Sequence, residues 1–157
     1  MDNTAKLERL YQMRFLESEG DTIEEFEQLL NDLSIQGTIA DIPKLCCIFE
    51  DEISEASAGD TMVETLLYIL LNHHTPKGFE IFADNIPCML PKAEFWTEQI
   101  HKRVLESTEL TTLYEQALIN IQAPICQRII TLLLDIQKEQ PELYAEQTTR
   151  LLSAAKV

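Results

Sequence analysis

Apolar residues recur at spacings of three and four along almost the whole sequence, and alternation at a spacing of two is nearly absent. The first spacing places apolar side chains on one face of an α-helix, whereas alternation would predict β-strands. Only four glycines interrupt the chain, and it contains no Asn-Gly or Asp-Gly pair of the kind that closes a β-hairpin. The pattern therefore predicts an all-α fold.

Capping signals and prolines divide the sequence into about nine helices. The N-terminal signals are Asp21 with Glu24, Thr61 with Glu64, and Thr75 before Pro76. Pro87 should break its segment into a helix that ends near Asn85 and a short second turn. The predicted helices span 3 to 18, 21 to 35, 41 to 53, 61 to 73, 76 to 90, 92 to 106, 108 to 121, 124 to 138 and 141 to 154.

Helix starts recur about every 33 residues, which is the rhythm of a short α-α stack of HEAT-like helical pairs. No repeated sequence signature accompanies this rhythm, so a compact irregular bundle remains an alternative. A chain of 157 residues suits one domain, and we expect a single all-helical domain over residues 1–157. The segments 61 to 73 and 124 to 138 are apolar on most sides and should be central, whereas 108 to 121 has one apolar face and should lie on a flank.

Negative charge is concentrated in the first half of the sequence. The formal net charge is −15, and the stretch from Phe15 to Pro76 contains fourteen acidic residues and one basic residue, Lys44. The densest part is the segment "IFEDEISEASAGD" at residues 48–60. Such asymmetry indicates a positively charged partner, and the lack of Lys and Arg clusters argues against direct binding of nucleic acid.

The residues that usually carry catalysis or metal binding do not form a recognisable site. His73, His74 and His101 are the only imidazoles, and none has the spacing of a metal centre or a general base. No glycine-rich phosphate loop or nucleophile motif is present. We therefore expect no catalytic activity, no cofactor and no bound metal.

Four cysteines and one tryptophan are predicted to be structural. Cys46, Cys47, Cys88 and Cys126 lie among apolar neighbours and should be reduced thiols in the core. Trp96 should anchor the core, although tryptophan is also common at interfaces. The N-terminus lacks the pattern of a signal peptide, and no apolar run is long enough to span a membrane, so we expect a cytoplasmic protein.

Three stretches together resemble the immunity protein 30 family of bacterial polymorphic toxin and contact-dependent growth inhibition systems. They are "LCCIFEDEISEASAGDTMVETLLYILLNHH", "FEIFADNIPCML" and "AEFWTEQIHKRVLES", within residues 41 to 121. The residues that carry the resemblance are Asp51 and Glu52, Met62 and Glu64, Trp96, and Arg103 to Leu105. The resemblance implies an all-helical, non-enzymatic antidote that binds one cognate toxin domain inside the producing cell.

The charge pattern and the resemblance together predict a partner-binding surface. A nuclease toxin must be basic where it holds nucleic acid, so an acidic protein can cover that surface. A ribonuclease is favoured, with a deoxyribonuclease close behind. The predicted partner-binding residues are Glu50, Asp51, Glu52, Glu55 and Asp60, with Glu24, Glu25 and Glu27. The alternative function is that of a small acidic secretion chaperone or adaptor that grips a segment of an effector.

Overall fold

A computed structural model describes residues 1–155 and contains ten α-helices, one short 3₁₀ turn and no strand in that range. The prediction of an all-α fold is confirmed. The helices are α1 (Asn3–Gln12), α2 (Ile23–Gln36), α3 (Ile42–Ile48), α4 (Ala56–Asn72), α5 (Pro76–Asp84), α6 (Ile86–Met89), α7 (Glu94–Leu105), α8 (Thr108–Leu118), α9 (Ala123–Glu139) and α10 (Ala145–Ala155), with the 3₁₀ turn at Ile39–Asp41.

The helices pack in two rows. In the first row, α1 contacts α3, α3 contacts α5, α5 contacts α8, and α8 contacts α10. In the second row, α2 contacts α4, α4 contacts α7, and α7 contacts α9. The short helix α6 bridges α3, α5 and α7. This arrangement is a two-row α-α stack, and its core lies between the rows.

Loops gather at two opposite edges of the stack. At the first loop edge, the Ser54 N–H donates to the Phe15 carbonyl, and the Asp51 N–H donates to the Lys92 carbonyl. These contacts join the loops before α2, α4 and α7. At the second loop edge, Tyr144 donates its hydroxyl hydrogen to Glu106, which joins the loops after α7 and α9. Helices within the second row therefore run in the same direction.

Several predicted boundaries are confirmed and several are wrong. The break at Pro87 is confirmed, since α5 ends at Asp84 and the short α6 follows, and the Thr75 hydroxyl caps α5 by accepting from the Lys77 N–H. The capping box at Thr61 is wrong, because α4 begins five residues earlier and the Thr61 hydroxyl donates to the Ser57 carbonyl inside the helix. The small residues before Thr61 let α4 extend and approach α7 closely.

Other corrections fall at the ends of helices. The residue that caps α2 is Thr22 rather than Asp21, because the Thr22 hydroxyl accepts from the Glu25 N–H. Helix α1 ends well before residue 18, and α10 begins at Ala145 rather than 141. In both places the loop contains a non-glycine residue with left-handed backbone geometry, Leu16 with φ 54° and Tyr144 with φ 62°, which cannot continue a helix.

The predicted positions of α8 and α9 are wrong: segment 108 to 121 was expected on a flank and segment 124 to 138 in the centre. Helix α8 contacts α4, α5, α7 and α10, so it is central rather than a flank. Helix α9 packs mainly on α7 and α10, and it buries one stripe only: Cys126, Ile129, Leu133 and Ile136. Leu134 is half exposed. The sequence could not reveal this, because the exposed apolar residues of α9 look the same as buried ones. Helix α4 is central, as predicted.

The cysteines are all free, but their burial varies. Cys46 and Cys126 are buried, Cys47 is half-buried and Cys88 is exposed, so the prediction of a core position is wrong for Cys88. Cys88 lies on the outer side of the short helix α6, beyond Pro87. Burial raises the pKa of the Cys46 thiol far above its ordinary value. Among residues 1–155, no helix has the length and apolar composition that a membrane crossing requires.

A buried hydrogen-bonded pair connects α7 and α8. His101 Nδ1 lies 2.8 Å from the Thr97 carbonyl and His101 Nε2 lies 2.8 Å from the Tyr114 hydroxyl, and both side chains are fully buried. A neutral imidazole satisfies both contacts by donating from Nδ1 and accepting at Nε2. Burial lowers the pKa of His101 to about 4 and raises the pKa of Tyr114 well above 10. His101 is therefore a structural residue of the core.

This burial predicts a loss of stability in mild acid. The unfolded chain takes up a proton at His101 near pH 6.5, whereas the folded protein does so only near pH 4. Neutral, buried His101 therefore contributes its full share to the free energy of unfolding above pH 6.5. This contribution is lost as the pH falls toward 4, by about 3 kcal/mol in total. Urea unfolding between pH 7.5 and 5 should show about 2 kcal/mol of this loss. An NMR titration in which His101 protonates near pH 6.5 in the folded state would contradict the assignment.

Trp96 anchors the second row, as predicted. Its side chain is 3% exposed, and its indole N–H donates to the Glu50 carbonyl at 3.0 Å. Gly59 of α4 lies directly against the ring, so that a methyl group at Gly59 would overlap the six-membered ring of Trp96. The absence of a side chain at Gly59 is therefore what allows α4 and α7 to approach each other here.

Substitution of Gly59 by alanine should destabilise the fold despite the higher helix propensity of alanine. We expect Gly59→Ala to lower the free energy of unfolding by about 1–3 kcal/mol, because the indole ring must shift and its hydrogen bond must lengthen. Chemical denaturation followed by Trp96 fluorescence measures the change. Ser57→Ala, an exposed position in the same helix, is the control and should be nearly neutral. Equal stability of Gly59→Ala and wild type would contradict this packing.

Candidate partner-binding surface

The eight acidic residues predicted to bind a partner lie in one region of the molecule. Five of them are in the loop 49–55 or in the first two turns of α4, and three are in the first two turns of α2. Helices α2 and α4 are parallel neighbours, because the Ser54 N–H donates to the Phe15 carbonyl in the loops before them and His73 Nε2 lies 3.3 Å from the Gly37 carbonyl after them. Their N-terminal ends therefore meet at the first loop edge. We call this region the acidic edge, comprising Glu24, Glu25, Glu27, Glu50, Asp51, Glu52, Glu55 and Asp60.

Glu50 faces into the protein rather than toward solvent. It is 7% exposed, and its Oε1 atom lies 3.4 Å from Arg14 Nε and 3.2 Å from Lys92 Nζ. Lys92 also donates to the Cys47 carbonyl. The carboxylate thus ties the loop before α4 to the loops before α2 and α7. Its geometry suits positioning of the acidic edge better than direct contact with a partner.

Asp51 is exposed, but its carboxylate is engaged with the start of α7. The Phe95 N–H donates to Asp51 Oδ2 at 3.2 Å, and the Trp96 N–H lies 3.4 Å from Asp51 Oδ1. These N–H groups have no partner within their own helix, and a negative charge is favourable at a helix N-terminus. Asp51 therefore caps α7 from a separate loop and fixes the loop against that helix.

Glu25 is also paired within the chain. Both of its carboxylate oxygens accept hydrogen bonds from Arg9, at 3.1 and 2.9 Å. The hydrogen bond from Arg9 holds the pKa of Glu25 below its ordinary value. This pair joins α1 to α2 at the surface, where Glu25 can still add to the negative potential of the acidic edge.

The remaining members of the acidic edge have no ion-pair partner among residues 1–155. Glu24, Glu52, Glu55 and Asp60 are exposed, and Glu27 is half-buried. Their charges repel one another without an internal cation to offset them, and a cationic partner would relieve that repulsion. The structure thus divides the predicted set into carboxylates that hold the edge together and carboxylates that are free to meet another molecule.

The structure also reveals an exposed aromatic residue beside the acidic edge that the sequence did not single out. Phe95 is 51% exposed and packs its ring edge-on against Trp96, with the ring centroids 4.9 Å apart. Consecutive helical residues point about 100° apart, so the burial of Trp96 was a signal that Phe95 should face outward.

The imidazoles take no part in this surface. His73 Nε2 lies 3.3 Å from the Gly37 carbonyl, and His74 Nδ1 lies 2.9 Å from a carboxylate oxygen of Glu109, all at the second loop edge. In the part of the chain that the structure describes, no group of three or more His, Cys, Asp or Glu residues is arranged to hold a metal ion.

Comparison with known proteins identifies one family. A family model described as immunity protein 30 matches residues 12–114, about two thirds of the chain. The matched segment begins at the end of α1, ends within α8, and includes every residue of the acidic edge. No curated protein and no solved structure gives a significant match.

The division of the acidic edge can be tested through stability. Glu50→Ala should lower the free energy of unfolding by about 1–3 kcal/mol, because Arg14 and Lys92 lose a largely buried counter-charge while remaining partly solvated. Glu52→Ala, two residues away, should change it by no more than about 0.5 kcal/mol. Urea unfolding of both variants measures the difference. Similar effects in the two variants would contradict the positioning role of Glu50.

Proposed function

The chain belongs to the immunity protein 30 family, and from this we propose that it neutralises a cognate toxin domain by docking the acidic edge on a basic surface of that domain. An immunity protein acts by binding its toxin, so the function requires a recognition surface rather than a catalytic site. The observation that carries the proposal is the group of free carboxylates, Glu24, Glu52, Glu55 and Asp60, around the parallel N-terminal ends of α2 and α4.

The chemistry of the acidic edge favours a nuclease as the toxin. A nuclease binds a polyanion and must present Lys and Arg side chains where its substrate lies. A protein with carboxylates at matching positions can occupy that surface and exclude the nucleic acid. We propose a ribonuclease as the toxin, with a deoxyribonuclease as the second choice, inhibited in the cytoplasm of the producing cell by blockage of its active or substrate-binding surface.

The proposed binding would be fast because of the charge distribution. Long-range attraction between the negative surface and a basic toxin raises the association rate by roughly 10- to 1,000-fold at low salt and is screened as salt increases. Charges at the rim of an interface mainly set the rate of encounter, while well-packed central side chains mainly set the lifetime of the complex. The free carboxylates of the acidic edge would therefore mainly raise the rate of encounter with the toxin.

Charge reversal at the acidic edge tests the proposal. The triple variant Glu52→Lys, Glu55→Lys and Asp60→Lys should slow association with the toxin about tenfold or more at low salt and flatten its salt dependence. The melting temperature should change little, because these side chains have no internal ion-pair partner among residues 1–155. Stopped-flow or surface plasmon resonance kinetics measure the rates, with the cognate toxin domain as the partner.

A matched control separates local from overall charge. The variant with Glu8, Glu142 and Glu146 replaced by lysine carries the same change of six charge units, from −15 to −9, at exposed sites outside the acidic edge. It should associate faster than the first variant. Equal rates in the two variants would contradict docking at the acidic edge. Binding only to an unfolded segment of the toxin, without loss of toxin activity, would instead support a chaperone.

A further inference from the structure

A groove lies between α4 and α7, and it begins about one helical turn beyond Asp60 of the acidic edge. Its volume is about 410 Å³, and it is lined by Glu64, Leu67, Tyr68 and Leu71 of α4 and by Arg103, Glu106, Ser107 and Leu110 from the end of α7 and the start of α8. Leu67 and Leu110 are buried, so the groove has an aliphatic lining beneath a polar rim.

Tyr68 is the exposed aromatic residue of this groove. It is 55% exposed, although it lies in the middle of the long central helix α4, whose other large apolar residues are buried or half-buried. A tyrosine presents a large surface at low cost in side-chain entropy, and tyrosine is enriched among the residues that dominate binding energy at interfaces. Its position beside an aliphatic groove is therefore favourable for anchoring a partner.

Glu64 gives the groove a free negative charge. No ion pair or side-chain hydrogen bond to Glu64 exists within residues 1–155, whereas the other charged groups of the groove are engaged with one another. Arg103 lies 3.9 Å from Glu106, and Tyr144 donates its hydroxyl hydrogen to the same glutamate. An incoming cation would therefore meet the carboxylate of Glu64 one turn from the ring of Tyr68.

These features fit a long cationic side chain. The methylene groups of an arginine can pack along leucines, its guanidinium can stack on a tyrosine ring, and its N–H groups can donate to a carboxylate. On the basis of the proposed function, we propose that the groove between α4 and α7 receives an arginine side chain from the basic surface of the toxin. Tyr68 and Glu64 would be the anchor of the interface, and the acidic edge its electrostatic rim.

Distance supports a single interface that includes both parts. Asp60 and Tyr68 are eight residues apart on α4, which corresponds to about 12 Å along the helix axis. A stable protein interface covers about 800 Å² on each partner, a patch roughly 30 Å across. One toxin domain can therefore cover the acidic edge and the groove together. Both also lie within the segment that matches the family model.

Two other grooves are less suited to a cation. The groove between α1 and α3 also contains an exposed tyrosine, Tyr11, beside Glu8, but the guanidinium of Arg14 already lies over the Tyr11 ring at 4.0 Å, and Lys44 adds a positive charge to the lining. The groove between α7 and α9 contains four carboxylates, but Lys102 lies 3.4 Å from Glu98 and 3.7 Å from Glu139 and partly neutralises them. Of these three grooves, only the α4–α7 groove has an exposed aromatic ring with no internal cation from residues 1–155 stacked on it beside an unpaired carboxylate.

The test measures toxin binding by variants of the groove. Tyr68→Ala should weaken binding about tenfold or more, mainly through faster dissociation, whereas Tyr68→Phe should stay within about twofold because it keeps the ring. Glu64→Gln should weaken binding about three- to tenfold. Tyr11→Ala, which removes the half-exposed tyrosine of the first row, is the matched control and should bind as wild type does. Biolayer interferometry with a catalytically disabled toxin domain gives the rates.

The outcomes separate this inference from the proposed function. Wild-type affinity in Tyr68→Ala, with association still slowed by the charge-reversed acidic edge, would overturn the groove and leave the proposed function intact. A loss of affinity in Asp135→Asn but not in Tyr68→Ala would place the toxin over the α7–α9 groove and would also overturn the inference. Failure of the wild-type protein to bind or inhibit the toxin would refute the proposed function and the inference with it.

Discussion

The packing of Trp96 against Gly59 is the contact on which the rest of the surface depends. It sets the separation of α4 and α7, and the indole N–H reaches the Glu50 carbonyl in the loop between α3 and α4. That loop is then fixed from two sides, by the Glu50 carboxylate on Arg14 and Lys92 and by the Asp51 carboxylate at the start of α7. These contacts give the exposed carboxylates a rigid framework.

This arrangement explains how one short segment can serve the fold and also the toxin recognition proposed above. Two of its five carboxylates, Glu50 and Asp51, make internal contacts that hold the segment in place. The other three, Glu52, Glu55 and Asp60, project from it without an ion-pair partner among residues 1–155. Preorganisation of this kind lowers the entropy that a binding surface loses when it meets a partner. The repulsion among the free carboxylates reduces stability slightly in the isolated protein, and the surrounding packed core of two helix rows tolerates it.

The sequence was sufficient to predict the all-α fold class, the stacking of helical pairs and the core position of Trp96, because apolar periodicity and helix spacing are local signals. The same reasoning misplaced α8 and α9, since a pattern of apolar residues shows which faces can be buried and not which neighbours cover them. It located the acidic edge by charge density, but it could not separate Glu50, which is paired inside, from Glu52, which is not. The partners of Glu50 come from residues 36 positions before and 42 positions after it.

The groove beside Tyr68 could not be predicted from the sequence for the same reason. Tyr68 occupies an apolar helix in which its neighbours are core residues, and only the packing of α7 and α8 against α4 shows that it faces solvent. Its position one turn from Glu64 is local to α4, but its place beside the buried Leu110 depends on α4, α7 and α8 meeting. Features built from distant segments of this kind require coordinates, whereas composition and periodicity are sufficient for the fold class.

The central claim is that the toxin covers the acidic edge and the adjoining outer face of α4 and α7. Amide hydrogen–deuterium exchange of the free protein and of its complex with the toxin domain tests it most directly. The account predicts slower exchange in the complex for the loop 49–55, for the first turns of α2 and α4, and for α7. Protection confined to α9 and α10, with unchanged exchange at those sites, would contradict it.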